Sequence, residues 1–300
     1  MRFIANRHNQ KALALNEEGE LEKAIASYHK AIKADPTWAV PWYNLGLLYK
    51  YEGQWAESLE CNQQAAALDP EDDAAWWNLG IAATALADWG EARRAWQQCE
   101  LTIPAGTGPI EANFGLTPIR LAIGEVIWCR RIDPARAIIE SVPLPDSEHR
   151  YGDLLLHDGA PNGYRNVDGK DVPVFDELAL LSPSEYGTFE VEIERATEEE
   201  IDQLVDLAGE RKLAAEDWST VRTLCRACSE GNPDEHEHHH EPGSGPEHRV
   251  GIAALSEKQV RELLVAWQQK FPHAIVSEID CAGSGLDQLR LGRKLRSRSI

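Results

Sequence analysis

Positive charge is in short supply in this 300-residue chain. Its 30 lysines and arginines face 50 aspartates and glutamates, which gives a formal net charge of -20. A surface this acidic repels phosphate backbones, so the composition argues against a DNA-binding protein and against general affinity for nucleic acids.

Cysteines and long apolar runs are also scarce. The six cysteines form no dense framework, and the first ten residues, MRFIANRHNQ, lack the apolar core of a secretion signal. We therefore expect reduced thiols and a cytoplasmic location. No uncharged apolar segment reaches the ~20 residues that a membrane helix needs, which predicts no membrane span.

The motifs that specify common enzymatic reactions are missing as well. The sequence has no glycine loop for phosphates, no nucleophile elbow and no dinucleotide fingerprint. It therefore favours a binding protein over an enzyme. The hydrophobic content of 43% with 10 tryptophans still supplies enough apolar side chains for folded cores, and the length predicts two or three units.

What the sequence does contain, near its start, is a repeat. Pro36, Pro70 and Pro104 are each 34 residues apart, and the segments between them superimpose, with Trp42 and Trp76 at equivalent positions. Small residues recur at the eighth and twentieth positions of the three copies: Ala12, Gly46, Gly80, Ala24, Ser58 and Ala92. Small side chains there let two helices approach closely, and one such hairpin cannot bury its apolar face alone.

This pattern resembles the tetratricopeptide repeat family over about residues 5–104. The resemblance implies three helical hairpins in residues 1–104, whose first helices line a concave surface that receives a peptide or protein segment. Helical spacing places eight residues on that surface: Asn9, Leu13, Tyr43, Leu47, Lys50, Trp77, Ile81 and Thr84. The predicted partner-binding residues among them are Asn9, Tyr43, Leu47, Lys50, Trp77 and Ile81.

The charge of this surface restricts how the expected partner can bind. Family members that grip a terminal carboxylate use basic residues on this face, and Lys50 is the one basic residue in the set. That specialised mode is therefore not expected. As an alternative, the later part of the same chain covers Tyr43 and Trp77, since three repeats leave an end that something must cap.

Residues 105–123 are punctuated by glycine and proline and are predicted to be a linker. Residues 124–183 hold short apolar runs of strand type, which predict a small antiparallel sheet or barrel. Within it, residues 157–165 combine His157 with turn-forming Asp-Gly and Asn-Gly pairs. The segment is interpreted as a hairpin turn, with a catalytic or binding loop as the alternative.

Residues 184–281 show two similar strand-helix halves. Phe189, Val191 and Ile193 alternate with glutamates and predict a strand with one wet face, and Thr197 with Glu200 forms a capping box at the start of a helix. The second half repeats the pattern, with a strand at 250–255 and a helix that follows a box at 256–259. The predicted fold is an α+β domain of ferredoxin-like, duplicated type.

An insertion at 225–248 carries the clearest metal-ligand signal. Cys225 and Cys228 are followed by histidines, among them His236 and His238, and two thiolates with two imidazoles suit a structural zinc ion. Two alternatives stand beside this prediction. The cysteines are buried hydrophobes on a helix, or the histidine run is solvated low-complexity sequence. Cys281 is a possible replacement ligand.

The last residues, 282–300, form a basic tail. Residues 290–300 carry five lysines and arginines and no acid, and we interpret this tail as a flexible, solubilising terminus. It could instead fold back on the acidic body, bind an acidic partner or touch RNA.

The hypothesis that follows is a cytoplasmic adaptor that binds a protein or peptide on its repeat array, with an acidic, zinc-stabilised body. One alternative is an immunity-type inhibitor of a basic toxin, steered by the net negative charge. The other is a zinc-dependent hydrolase with Glu237 or Glu241 as the base. The sequence does not define the oligomeric state.

Overall fold

A computed structural model describes residues 1–167, 169–220 and 247–283 of the chain. The chain divides into two compact units. The first unit comprises Met1–Asn113 with Ile132–Ala135, and the second comprises Phe114–Arg131 with Arg136–Ile300. The predicted Cys225, Cys228, His236 and His238 cluster and the basic tail from residue 284 onward lie outside the described residues.

The first unit is built from three helical hairpins, as the repeat predicts. Its six helices are α1 Arg2–Glu17, α2 Leu21–Ala34, α3 Ala39–Tyr51, α4 Trp55–Leu68, α5 Asp73–Ala85 and α6 Trp89–Gln98. Helices α2 and α4 end two residues before Pro36 and Pro70, because proline cannot continue a helix. Each of these prolines also accepts an indole hydrogen bond, from Trp42 Nε1 at 3.4 Å and from Trp76 Nε1 at 2.9 Å.

The glycines at the eighth repeat position mark where the two helices of a hairpin touch. A Cβ atom on Gly46 would lie 2.7 Å from the Asn62 side chain, and one on Gly80 would lie 2.5 Å from the Trp96 ring. Both distances are too short for a real methyl group. The Trp96 side chain is fully buried, so a glycine at position 80 leaves the space that the indole fills.

The chain that follows α6 packs within the same unit. Arg93 donates from Nε to the carbonyl of Pro104 at 3.1 Å and from Nη2 to the carbonyl of Pro109 at 3.4 Å. Ile110 is fully buried. Residues 99–113 are therefore held against α6 by hydrogen bonds, although no regular element is assigned to them.

The second unit begins with a closed five-stranded barrel. Its strands are β1 Leu116–Arg120, β2 Val126–Arg131, β3 Arg136–Ile139, β4 Leu154–Val167 and β5 Lys170–Ser182. Neighbours pair antiparallel in chain order, and β1 closes the barrel by pairing parallel with β5 through Ile119 and Phe175. The interior is apolar, with Ile119, Ile127, Cys129, Ile139 and Leu155 buried.

Two predictions for this region are wrong. Strand β1 lies inside the segment 105–123, which the sequence predicts to be a linker. The prediction fails because Gly115 and Pro118 are residue types common in loops, whereas Pro118 pairs with Trp128 in the sheet. The predicted turn at 157–165 lies inside β4, where its glycine, proline and asparagine residues occupy register shifts against β5. Bulges and turns use the same residue types, so composition alone does not separate them.

The rest of the second unit is an antiparallel sheet with two helices. The elements are β6 Gly187–Glu194, α7 Glu198–Glu210, β7 Ala214–Asp217, β8 Glu247–Ala254, α8 Glu257–Gln268, β9 Ile275–Val276 and β10 Asp280–Gly283. The strand order is β10-β6-β8-β7, and β9 also pairs with β6. Side chains of α7 and α8, such as Leu204 and Trp267, share a core with Val191 and Ile252 of the sheet.

The two predicted capping boxes differ in outcome. Thr197 and Glu200 form the complete reciprocal pair at the start of α7. At the start of α8, Ser256 makes no side-chain cap, and Gln259 accepts a hydrogen bond from the Leu255 amide instead. Two strand-helix pairs are present, whereas the assignment to a ferredoxin-like domain stays a prediction.

A buried histidine joins three parts of the barrel. His149 places Nδ1 3.4 Å from an Asp153 carboxylate oxygen and Nε2 3.0 Å from a Glu177 carboxylate oxygen. Burial alone would lower the pKa of His149, but the hydrogen bonds to Asp153 and Glu177 outweigh it and raise the pKa to about 9. His149 is therefore a cation at neutral pH.

Replacing Gly80 tests the close helix contact in the third repeat. We expect Gly80→Ala to lower the free energy of unfolding by about 1–3 kcal/mol, because the new methyl group overlaps the Trp96 ring. Gly90→Ala in α6 is the matched control, since a Cβ there meets only an ordinary contact at 3.7 Å. The control should stabilise the helix by up to ~1 kcal/mol. Urea unfolding measures the stability of both variants. Equal unfolding midpoints would contradict a close contact between Gly80 and the Trp96 ring.

The buried imidazolium predicts a loss of stability at alkaline pH. Because the folded pKa of His149 lies above its unfolded value, its contribution is complete below about pH 6.5 and disappears as the pH rises through about 9. At pH 6 we expect His149→Gln to cost on the order of 2 kcal/mol in unfolding free energy, and at pH 10 much less. His273→Gln, at an exposed histidine-glutamate pair, should cost less than ~1 kcal/mol at either pH. A pH-independent cost for His149→Gln would refute this account.

Candidate functional site

The structure separates the six predicted partner-binding residues into two groups. Tyr43 and Leu47 on α3 and Trp77 on α5 are half-buried, so part of each side chain is open to contact. Asn9, Lys50 and Ile81 are 2%, 2% and 0% exposed. A partner can therefore touch the first three, whereas the last three act inside the array.

The buried polar members link neighbouring repeats. Asn44 Nδ2 on α3 donates to Asn9 Oδ1 on α1 at 3.1 Å. Lys50 Nζ on α3 donates to Asn78 Oδ1 on α5 at 3.1 Å. Asn44 and Asn78 stand at equivalent repeat positions, and each is bonded across to a different helix. These bonds fix how successive first helices stack, because a broken one leaves a buried polar group without its partner.

Sequence reasoning missed Asn44 and Asn78. The signal was present, because both are asparagine and they lie 34 residues apart on the predicted inner helices. The geometry shows that this position carries the polar contacts between repeats.

The one cationic side chain of α3 and α5 is buried. Lys50 is the sole lysine or arginine in these two helices. Its ammonium contacts the Asn78 amide oxygen and lies 4.5 Å from the centre of the Tyr51 ring, a cation-π distance. A cation held in this way is not exposed for contact with an incoming carboxylate.

Trp77 is shared between the surface and the core. Its ring packs edge-on against the Trp96 ring, with 5.3 Å between centroids. The indole nitrogens of Trp77 and Trp96 and the Thr84 hydroxyl are buried with no hydrogen-bond partner in the described part of the chain. The buried part of Trp77 thus supports α6, and its remaining surface is available for contact.

The C-terminal ends of the three first helices are apolar and acidic. Tyr51 at the end of α3 is 59% exposed, and Leu86 just after α5 is 43% exposed. Glu17 and Glu18 at the end of α1 and Glu52 after α3 are also exposed. Glu18, Glu52 and Leu86 are repeat equivalents, so helix stacking places them along the same edge. We call Glu17, Glu18, Tyr51, Glu52 and Leu86 the acidic edge.

The histidine of the alternative catalytic loop, His157, is enclosed. His157 has no exposed surface, and its Nδ1 lies 2.7 Å from the backbone oxygen of Asp158. Burial, reinforced by the nearby Arg131 cation, lowers the pKa of His157 to about 4. The imidazole is therefore neutral and enclosed.

No group of three or more histidine, cysteine, aspartate or glutamate side chains within residues 1–167, 169–220 and 247–283 is arranged to hold a metal ion. Cys281, the predicted replacement ligand, is exposed in β10. Burial raises the pKa of Cys61 to about 12 and that of Cys99 to about 11, which keeps both thiols protonated at neutral pH. In the same described ranges, no helix is both long and apolar enough to cross a bilayer.

Comparison with known proteins identifies the N-terminal helices. Residues 12–50 match a family described as TPR repeat, and residues 39–72 match the family described as tetratricopeptide repeat. The predicted resemblance is therefore confirmed for this part of the chain. A search of curated proteins finds no match.

Solved structures similar to this chain cover about a third of it. One is the second TPR of Spaghetti bound to the HSP90 peptide SRMEEVD, with 26% identity, 34% of this chain and 90% of that chain covered, and a TM-score of 0.32. The first TPR of Spaghetti with the same peptide shows 24% identity, covers 33% and 78%, and has a TM-score of 0.31. The Sgt2 TPR domain from Aspergillus fumigatus shows 26% identity, covers 31% and 62%, and has a TM-score of 0.30.

Proposed function

We propose that the tetratricopeptide repeats at the N-terminus of this chain make it an adaptor that binds a protein segment on their inner surface. The observation that carries the proposal is the row formed by Tyr43, Leu47 and Trp77. Tyr43 and Trp77 are repeat equivalents on adjacent inner helices, Leu47 lies one turn beyond Tyr43, and all three keep exposed apolar surface. Aromatic side chains in such a row gain most from burial against a partner.

The charges around this row define the partner's chemistry. A segment that ends in a carboxylate would need a free cation, and the Lys50 ammonium is already engaged by Asn78 and Tyr51. The acidic edge offers carboxylates beside the exposed rings and methyl groups of Tyr51 and Leu86. We therefore expect an internal segment whose apolar side chains meet the row while lysines or arginines face the acidic edge.

The two alternative functions, toxin inhibitor and zinc-dependent hydrolase, predict different measurable behaviour. An inhibitor of a basic toxin would bind through many charge pairs, so its affinity would fall steeply with salt concentration. A docking mode centred on Tyr43, Leu47 and Trp77 would keep most of its affinity in salt, because apolar burial is not screened. A zinc-dependent hydrolase would turn over substrate, which the adaptor does not require.

Partner binding is tested by removing the exposed row. We expect Tyr43→Ala with Leu47→Ala to weaken capture of a partner by about tenfold or more, since each truncation removes apolar contact that a bound segment would bury. Binding of copurified partners or of a peptide array measures the effect. Circular dichroism confirms that the helices remain folded.

Tyr164→Ala is the matched control, because Tyr164 is 59% exposed on β4 of the second unit. It should leave capture unchanged. Full partner recovery by the Tyr43 and Leu47 variant would exclude this surface as the docking site.

For the second unit, we propose that the sheet with α7 and α8 is a duplicated ferredoxin-like domain, and that residues 225–248 supply a structural zinc site within it. The support is the alternation of strand and helix in β6-α7-β7 and β8-α8-β9, with the Cys225, Cys228, His236 and His238 ligand types between β7 and β8.

The zinc proposal predicts about one zinc ion per chain in protein purified under reducing conditions. Cys228→Ser should lose the metal and unfold more easily, because a structural ion contributes folding free energy directly. Elemental analysis and thermal unfolding measure the two effects. Metal-free wild-type protein rules the site out.

A further inference from the structure

Residues 141–144 connect β3 to the next part of the barrel and are held from two sides. The Val142 amide donates to Glu216 Oε2 on β7 at 2.7 Å, and the Leu144 amide donates to Glu125 Oε1 beside β2 at 3.1 Å. The Val142 carbonyl accepts from Trp218 Nε1 at 2.9 Å. One short backbone segment is thus bonded both to the barrel and to the end of the α+β sheet.

Trp218 is itself seated firmly. A Cβ atom on Gly251 of β8 would overlap the Trp218 ring, so the indole lies directly on the backbone of the sheet. The Arg249 guanidinium stacks 5.2 Å from the centre of the ring, and Val142 and Ala253 share a buried cluster with the indole. The hydrogen bond from Trp218 to Val142 therefore holds the connector 141–144 against the sheet.

Two buried carboxylates hold this connector. Burial raises the pKa of Glu125 most, and the nearby charge of Glu216 raises it further. Glu125 Oε2 is buried with no hydrogen-bond partner in the described residues. The other charges that act on the pair are His149, which favours ionised Glu125, and Arg165, which favours ionised Glu216. His149 is already bound by Asp153 and Glu177, so it does not fully neutralise Glu125.

Burial is the largest effect on both groups. It raises the pKa of Glu125 to about 7, against the opposing hydrogen bond from Leu144, and it raises the pKa of Glu216 against the hydrogen bond from Val142. Because the folded pKa of Glu125 lies above its unfolded value, the stabilising effect of its proton is present at acidic pH and is lost as the pH rises through about 7.

We propose that the connector 141–144 is a proton-operated latch, closed between barrel and sheet while at least one of Glu125 and Glu216 is protonated and loosened when both are ionised. The ionised pair must draw in water or separate, and either response pulls on the backbone amides that the carboxylates hold. The barrel and the sheet then move more freely relative to each other across the Val142 contact with Trp218.

Amide hydrogen exchange of Val142 and Leu144 reads this latch directly. After correction for intrinsic exchange rates, we expect their protection in the wild-type chain to fall on the order of tenfold between pH 6 and pH 8. Glu125→Gln, which keeps the shape and cannot ionise, should remove this pH dependence. Glu199→Gln at an exposed site of α7 should behave like the wild type.

Two further measurements keep the proposal open to refutation. Glu216→Gln should also remove the pH dependence of amide protection at Val142 and Leu144. This variant replaces Glu125→Gln in the test if Glu125→Gln folds poorly. Trp218→Phe removes a hydrogen-bond donor without removing a charge, so it should lower protection at both pH values while leaving the difference between them intact. Constant wild-type protection, a persistent fall in both glutamine variants, or an equal fall at barrel-core amides such as Ile119 would overturn the latch.

Discussion

The contact between stacked helices at glycine is the constraint on which the first unit depends. Where Gly80 meets the Trp96 ring, the distance leaves no room for a methyl group, and Gly46 meets Asn62 in the same way one repeat earlier. Close approach lets each hairpin present its apolar flank to the next, which a single hairpin cannot bury. The inner surface is a consequence of that stacking, because its residues are those of the first helices that the second helices leave uncovered.

Polar bonds between the first helices bury several of the polar groups of this surface. The amide pair of Asn9 and Asn44 and the bond from Lys50 to Asn78 join successive repeats. These bonds consume the groups that an incoming peptide terminus would use. What stays accessible is Tyr43, Leu47 and part of Trp77, with carboxylates along one edge. The same interactions that hold the array in register underlie the proposed preference for an apolar segment with positive charges.

The second unit places several charged groups where water is scarce. His149 is stabilised as a cation by two carboxylates, His157 is held neutral, and Glu125 and Glu216 are held near the connector 141–144 by backbone amides. Each group resolves the cost of burial differently, through ion pairing, through loss of charge or through amide donors. The carboxylate pair and the histidine bridge respond to pH in the same direction, because both Glu125 and His149 have raised pKa values and both contributions to stability are lost as the pH rises, through about 7 and about 9.

The helical repeats can be predicted from the amino-acid sequence, because a period of 34 residues and the positions of proline and small side chains depend only on local geometry and on contacts one repeat apart. The capping box of α7 and the alternation of β6 can also be predicted from the sequence. The tertiary structure alone decided which inner residues are accessible, since burial of Asn9, Lys50 and Ile81 comes from packing and not from helical phase. It alone decided that Pro118 belongs to a strand and that residues 157–165 continue β4, because a barrel can hold proline and glycine at bulges that composition assigns to turns. The meeting of Glu125, Glu216 and Trp218 at one connector joins residues up to 93 positions apart, and only the folded chain brings them together.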